Sequence, residues 1–173
     1  MRALMSFLML AAVVVAAGTF WACNERLDDP TLSEGLLTVE KVEPAIVQGD
    51  RMDNVDPNSG QIIPITADEV TVTIKNRPRI PDTGGLTDVF LGQATRVCTN
   101  QNGATVATGV SPISFTIPSG GSAAVTSPAA LVSEKINNAV DGDTWSCIVG
   151  FSGVDLAGNP AGVAAGFTVS IFD

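Results

Sequence analysis

Trp145-Ser146-Cys147-Ile148-Val149-Gly150-Phe151-Ser152-Gly153-Val154, and beyond it Gly166-Phe167-Thr168-Val169-Ser170-Ile171-Phe172, decide the fold class. In the first run Trp145, Cys147, Val149 and Phe151 share one face; in the second Phe167, Val169 and Ile171 do. An apolar residue at every second position places one face of a strand on a core and the other in solvent. Between the runs lies Asp155-Leu156-Ala157-Gly158-Asn159-Pro160, a cluster of turn formers.

The same period extends towards the N-terminus. Val70, Val72 and Ile74 alternate with Thr71, Thr73 and Lys75. Leu36–Val42 reads as a first strand and Val89–Thr99 as a third, bulged at Gly92. Asn102-Gly103 is a strong hairpin turn. Strands are expected after it at Ala104–Val110, Ser114–Ile117 and Ser122–Thr126. The prolines and glycines of 77–85 predict a loop. Ser127-Pro128 has the form of a helix start, with Ser as N-cap and Pro at the first helical position. One short helix is expected from there to just before Asp141-Gly142. Short strands at regular spacing, with little else, indicate an all-β sandwich or barrel.

Two segments carry a resemblance. Asp141-Gly142-Asp143-Thr144-Trp145-Ser146-Cys147 resembles the approach to strand F of an immunoglobulin-type sandwich, with Trp145 where a tyrosine corner has Tyr. Val154-Asp155-Leu156-Ala157-Gly158-Asn159-Pro160 resembles the D-x-A-G-N turn between the last two strands of bacterial immunoglobulin-like domains. The resemblance covers roughly Leu131 to Asp173. It implies an immunoglobulin-like β-sandwich of about seven strands with one short helix before the penultimate strand. Such repeats are common in lipoproteins, surface-layer proteins and adhesins.

The N-terminus has the layout of an export signal: Arg2, an apolar run over Ala3–Ala22, then Cys23 and charge at Glu25 and Arg26. Three readings stand. Cleavage between Ala22 and Cys23, with lipid on Cys23, resembles the bacterial lipobox, although Phe20 and Trp21 replace its usual Leu and small residue. Ordinary cleavage after Gly18 is the second. The third keeps Ala3–Ala22 as an uncleaved signal/anchor helix, since about 20 apolar residues span a bilayer. All three place the remainder outside the cytoplasm. The lipoprotein reading divides the chain into a signal peptide at 1–22, a tether at 23–33 and the β-domain at 34–173. It places the protein at the cell envelope, on an outer membrane or the cell surface, held to the membrane by its N-terminal lipid.

The 173 residues include three cysteines, Cys23, Cys98 and Cys147, an odd number for an exported chain. Lipidation of Cys23 leaves Cys98 and Cys147 as a pair, either a disulfide in an oxidising compartment or two buried thiols. Immunoglobulin domains join strand F to strand B, whereas Cys98 falls on strand C and shares its alternation with Arg96. A register shift at Gly92, a bridge between neighbouring strands, or no bridge at all would each account for this.

The chain has no His, which removes the usual general base, the commonest metal ligand and every Ser-His or Cys-His pair. No phosphate-loop, dinucleotide or nucleophile-elbow motif is present. No catalytic residue is assigned and no enzyme activity is expected. The net charge of −9 opposes nucleic acid as a partner and leaves envelope proteins and glycans. No cofactor is implied except calcium, for which Asp50, Asp53, Asp56 and Asn58 are the candidate ligands because hard cations want clustered oxygens. The EF-hand pattern fails there, with Ala67 at its twelfth position, and a solvated Asx-rich turn is the alternative. Lys75, Arg77 and Arg79 form a possible basic face, Asp141 and Asp143 suit turn and capping roles, and Trp145 suits the core.

Overall fold

The computed structural model describes residues 35–56, 58–79 and 87–172. The expected signal peptide, Cys23, the expected tether and the anchor reading lie outside the described residues. In chain order the strands are β1 (Gly35–Glu43), β2 (Ile46–Asp50), β3 (Asn54–Val55), β4 (Ile62–Ile63), β5 (Asp68–Pro78), β6 (Val89–Thr99), β7 (Thr105–Ile117), β8 (Ser122–Ala130), β9 (Thr144–Asp155) and β10 (Pro160–Phe172). One helix, α1 (Val132–Asn138), lies between β8 and β9. The described residues are all-β, with that single short helix before the penultimate strand.

Two sheets carry the fold. One has three strands in the order β1-β5-β8; the other has five in the order β2-β10-β9-β6-β7; β3 and β4 form a separate small hairpin. Neighbours are antiparallel except β2, which runs parallel to β10. The inward residues are those the alternation picks out. Val70, Val72 and Ile74 of β5 are fully buried, as are Trp145 and Val149 of β9 and Val169 and Ile171 of β10. Trp145 is therefore core, and its burial removes it as a stacking platform for sugars.

Several strands depart from expectation for one reason: a hydrogen-bonded ladder overrides a local breaker. β5 runs to Pro78, so Arg77 and Pro78 belong to a strand and not to a loop. Pro112 does not divide β7, which is continuous from Thr105 to Ile117. β7 lies at a sheet edge, where a missing N–H is tolerated. Ser127 and Pro128 do not start a helix. They pair with Val70 and Glu69 of β5 as part of β8, also an edge strand. The helix begins one turn later, with Leu131 as its N-cap residue and the Glu134 carboxylate accepting the Leu131 N–H at 2.8 Å. β2 has no counterpart among the strands read from the sequence.

Cys98 and Cys147 form a disulfide. They are direct register partners on neighbouring strands β6 and β9, with Cα atoms 4.1 Å apart, the close spacing of a non-hydrogen-bonded pair. The bridge thus stays within one sheet. The register of β6 shifts between Leu91 and Gln93, as the bulge at Gly92 requires, and a Cβ on the facing Gly153 would lie 1.8 Å from the Phe90 carbonyl oxygen. Past the bulge Ala94, Arg96 and Cys98 all point inward while Val97 points out.

Replacing both cysteines, Cys98→Ala with Cys147→Ala, is expected to lower unfolding free energy by about 2–5 kcal/mol, the usual value of a native disulfide. Urea denaturation of the double variant, and of the native chain with and without reductant, measures it.

Candidate functional site

Four regions gather chemically capable side chains, and each has a structural use. The acidic stretch does not converge. Asp53 accepts the Ile65 N–H at 2.8 Å, across the base of the β3–β4 hairpin. Asp56 accepts the Asn58 N–H at 2.8 Å and the Ser59 hydroxyl at 2.6 Å, an Asx turn. The Ser59 hydroxyl, with the Asn58 N–H second, holds the Asp56 carboxyl below its ordinary value. Asp50 is exposed at the end of β2. Among the described residues, no three His, Cys, Asp or Glu side chains come together in an arrangement suited to a metal ion.

Of the alternating basic stripe, Lys75 is paired on its own sheet. Lys75 pairs with Glu40 at 3.2 Å, from β5 to β1. Ser122 of β8 donates to the same carboxylate at 2.8 Å. The Ser122 hydroxyl first, then Lys75, lowers the Glu40 carboxyl from its ordinary value. The outer face of the three-stranded sheet is therefore charged but mixed in sign, which does not make an anion site. Asp143 accepts the Val140 N–H at 2.9 Å and serves the turn before β9.

The D-x-A-G-N segment has the mechanics its residues suggest. One Asp155 oxygen accepts the N–H groups of Ala157 (2.9 Å) and Asn159 (2.8 Å), and Gly158 takes φ 85°. A β-carbon at Gly158 would meet the steric penalty of the left-handed region. Asp155 is only 3% exposed, and its carboxylate is taken up by the backbone of its own turn.

The most elaborate polar arrangement is one that sequence reasoning passed over. Two cations are buried between the sheets, both against α1. Arg96 of β6, 4% exposed, meets both Glu134 oxygens at 2.6 and 2.8 Å and donates to the Ala129 carbonyl. Lys135, 1% exposed, donates to the Asp68 carboxylate and the Thr66 carbonyl, each at 2.7 Å. Adjacent residues of one helix thus reach one to each sheet. The signal for Arg96 was its inward parity with Cys98; nothing marked Glu134 or Lys135, because partners far apart in sequence leave no local pattern.

Beside this network a cavity of about 120 Å³ is lined by Arg96, Gly109, Ser111, Ser127 and Leu131 among others. A groove of about 290 Å³ lies nearby, between β7 and the helix residues Glu134 and Asn138. Both fall below the roughly 300–1,000 Å³ usual for small-molecule sites. With the Arg96 guanidinium engaged by Glu134 and the Ala129 carbonyl, the network holds the helix in place.

No protein-family model and no curated protein matches this chain. Solved structures similar to it include a Northeast Structural Genomics Consortium target, at 15% identity over 79% of this chain and 86% of that one, with a TM-score of 0.45. Another is a protein described as ApaA from Bordetella pertussis, at 14% identity over 81% and 97%, with a TM-score of 0.44. A third is described as a late embryogenesis abundant protein, at 11% identity over 95% and 84%, with a TM-score of 0.47. Likeness at this level says nothing about activity.

Removing one member of a buried pair strands its partner, at about 3–5 kcal/mol. Asp68→Ala is therefore expected to destabilise by that amount in urea melts, and adding Lys135→Met to recover most of it. A pH dependence accompanies this pair. Burial, outweighing Lys135, raises the Asp68 carboxyl above its ordinary value. A raised folded-state value means that stability is greatest below the unfolded value, about 4, and declines as pH rises through the folded one. Asp68→Asn, which cannot titrate, is expected to be less harmful at pH 7 than at pH 4 when melts of the two chains are compared.

Proposed function

We propose that this chain is a non-enzymatic lipoprotein of the cell envelope, with an immunoglobulin-like β-sandwich acting as a structural, adhesive or protein-binding module. The observation that carries the reading is the Cys98–Cys147 disulfide. It belongs to an oxidising compartment. It also uses two of the three cysteines and leaves Cys23, at the end of the apolar N-terminal run, as the one available for lipid.

The strand order supports the immunoglobulin-like part. β1, β5 and β8 take the places of strands A, B and E, and β10, β9 and β6 those of G, F and C, with β7 as the added C′. On this reading the D-x-A-G-N turn, between β9 and β10, would join F to G. The disulfide departs from the antibody pattern by linking C to F within one sheet. A non-catalytic role is supported by the missing His and by the local structural use made of each carboxylate cluster described above.

The test is the intact mass of membrane-extracted, non-reduced protein beside a Cys23→Ala variant. A diacyl or triacyl mass on a chain starting at Cys23, lost in the variant, is expected. A chain retaining Met1, or one starting after Gly18 without lipid, would overturn the lipoprotein reading. Turnover of a glycan or peptide by the purified chain would overturn the non-enzymatic one.

A further inference from the structure

Charge is distributed very unevenly over the two sheets. In β6, β7, β9 and β10 the only ionisable side chains besides the disulfide cysteines are Arg96 and Asp155. Both point inward and are buried, at 4% and 3% exposure. The outer face of these four adjacent strands therefore bears no charge, on a chain of net charge −9. The opposite sheet is the reverse, with Glu40, Lys75 and Arg77 on its outer surface.

This uncharged face has relief. Val97 and Ile148 are register partners, and Val110 sits diagonal to Val97. They are 41%, 59% and 63% exposed and form an apolar ridge across β7, β6 and β9. Beside the ridge β10 presents Gly162, Ala164 and Gly166, with Gly150 of β9 paired to Ala164. That is a trough of minimal side chains. The fold does not demand all of these glycines. A Cβ at Gly150 or Gly166 would meet nothing nearer than 3.9 Å, and neither has a positive φ. Glycine weakens a strand interior, and one without an internal steric reason marks a place where another backbone comes close.

We propose that the outer face of β6, β7, β9 and β10 is a docking surface for a second copy of this chain. A two-fold arrangement seats the ridge of each copy in the trough of the other, as an isologous interface requires. Two molecules of the same negative charge repel wherever charged surfaces meet, and this face lets them approach without bringing like charges together. The area suffices. Four strands about 4.8 Å apart and about 11 residues long cover roughly 700 Å², against about 800 Å² per partner in a standard interface. The inference is independent of the lipid anchor.

The test is thiol cross-linking of the full chain in detergent, in a Cys23→Ser background, with a short bis-maleimide. Thr95→Cys places a thiol on the uncharged face, and Ala124→Cys places one on the outer face of the other sheet. A product of twice the chain mass from Thr95→Cys and not from Ala124→Cys is expected. Adding Ile148→Asp to Thr95→Cys is expected to cut its yield about tenfold, the size of a central interface contact. Circular dichroism of that variant, with Ile148 already exposed, is expected to match the native chain. No dimer from Thr95→Cys, equal yields from the two positions, or a yield that Ile148→Asp leaves unchanged would each overturn the proposal.

Discussion

The pairing of β6 with β9 is the contact on which the rest of this structure depends. It brings Cys98 opposite Cys147 and closes the covalent bridge between them. It also sets which side of β6 faces the core. A bulge between Leu91 and Gln93 changes the parity, so that Arg96 is inward and Val97 outward. A slip of one residue would expose Cys98 and bury Val97, because strand side chains alternate with a period of two. The disulfide forbids that slip.

From the inward Arg96 follows the position of the helix. A buried guanidinium needs a carboxylate and hydrogen-bond acceptors, and Glu134 with the Ala129 carbonyl supplies them. The next residue, Lys135, turns to Asp68 on the other sheet. Seven residues of helix, too short to be stable alone, are thereby tied to both layers. Such pairs add little net stability compared with apolar packing, and their use here is positional. They fix which helix residues face inward between β8 and β9.

The same alternation also shapes the surface. Burying the only two ionisable non-cysteine residues of β6, β7, β9 and β10 leaves the other side of those strands uncharged. Core and surface are thus two faces of one periodic constraint, and a change in strand register alters both.

Much of the fold was legible locally. The period of two in Val70–Ile74 and Trp145–Val154 determined strands and their buried faces, since alternation is a property of the strand itself; Val89–Thr99 was legible as a bulged strand, with its inward side left to the pairing with β9. Turn chemistry was equally local: at Asn102-Gly103 the Asn100 side chain accepts the Asn102 N–H and Gly103 takes a positive φ, and at Asp155–Asn159 the Asp155 side chain bonds its own turn. Legibility stopped where a distant partner decides. Ser127-Pro128 has the chemistry of a helix start, yet pairing with β5 makes it strand. Asp50, Asp53, Asp56 and Asn58 are close in sequence but spread over a strand end, a hairpin base and a turn. Arg96, Glu134, Lys135 and Asp68 are scattered in sequence and meet in pairs only when the sheets close over them. Sequence by itself determined the β class, the core faces and the turns, because those rest on neighbours a few residues away. Tertiary structure alone decided the ionic pairs, the in-sheet disulfide and the uncharged face, because each depends on register between strands that no local pattern specifies.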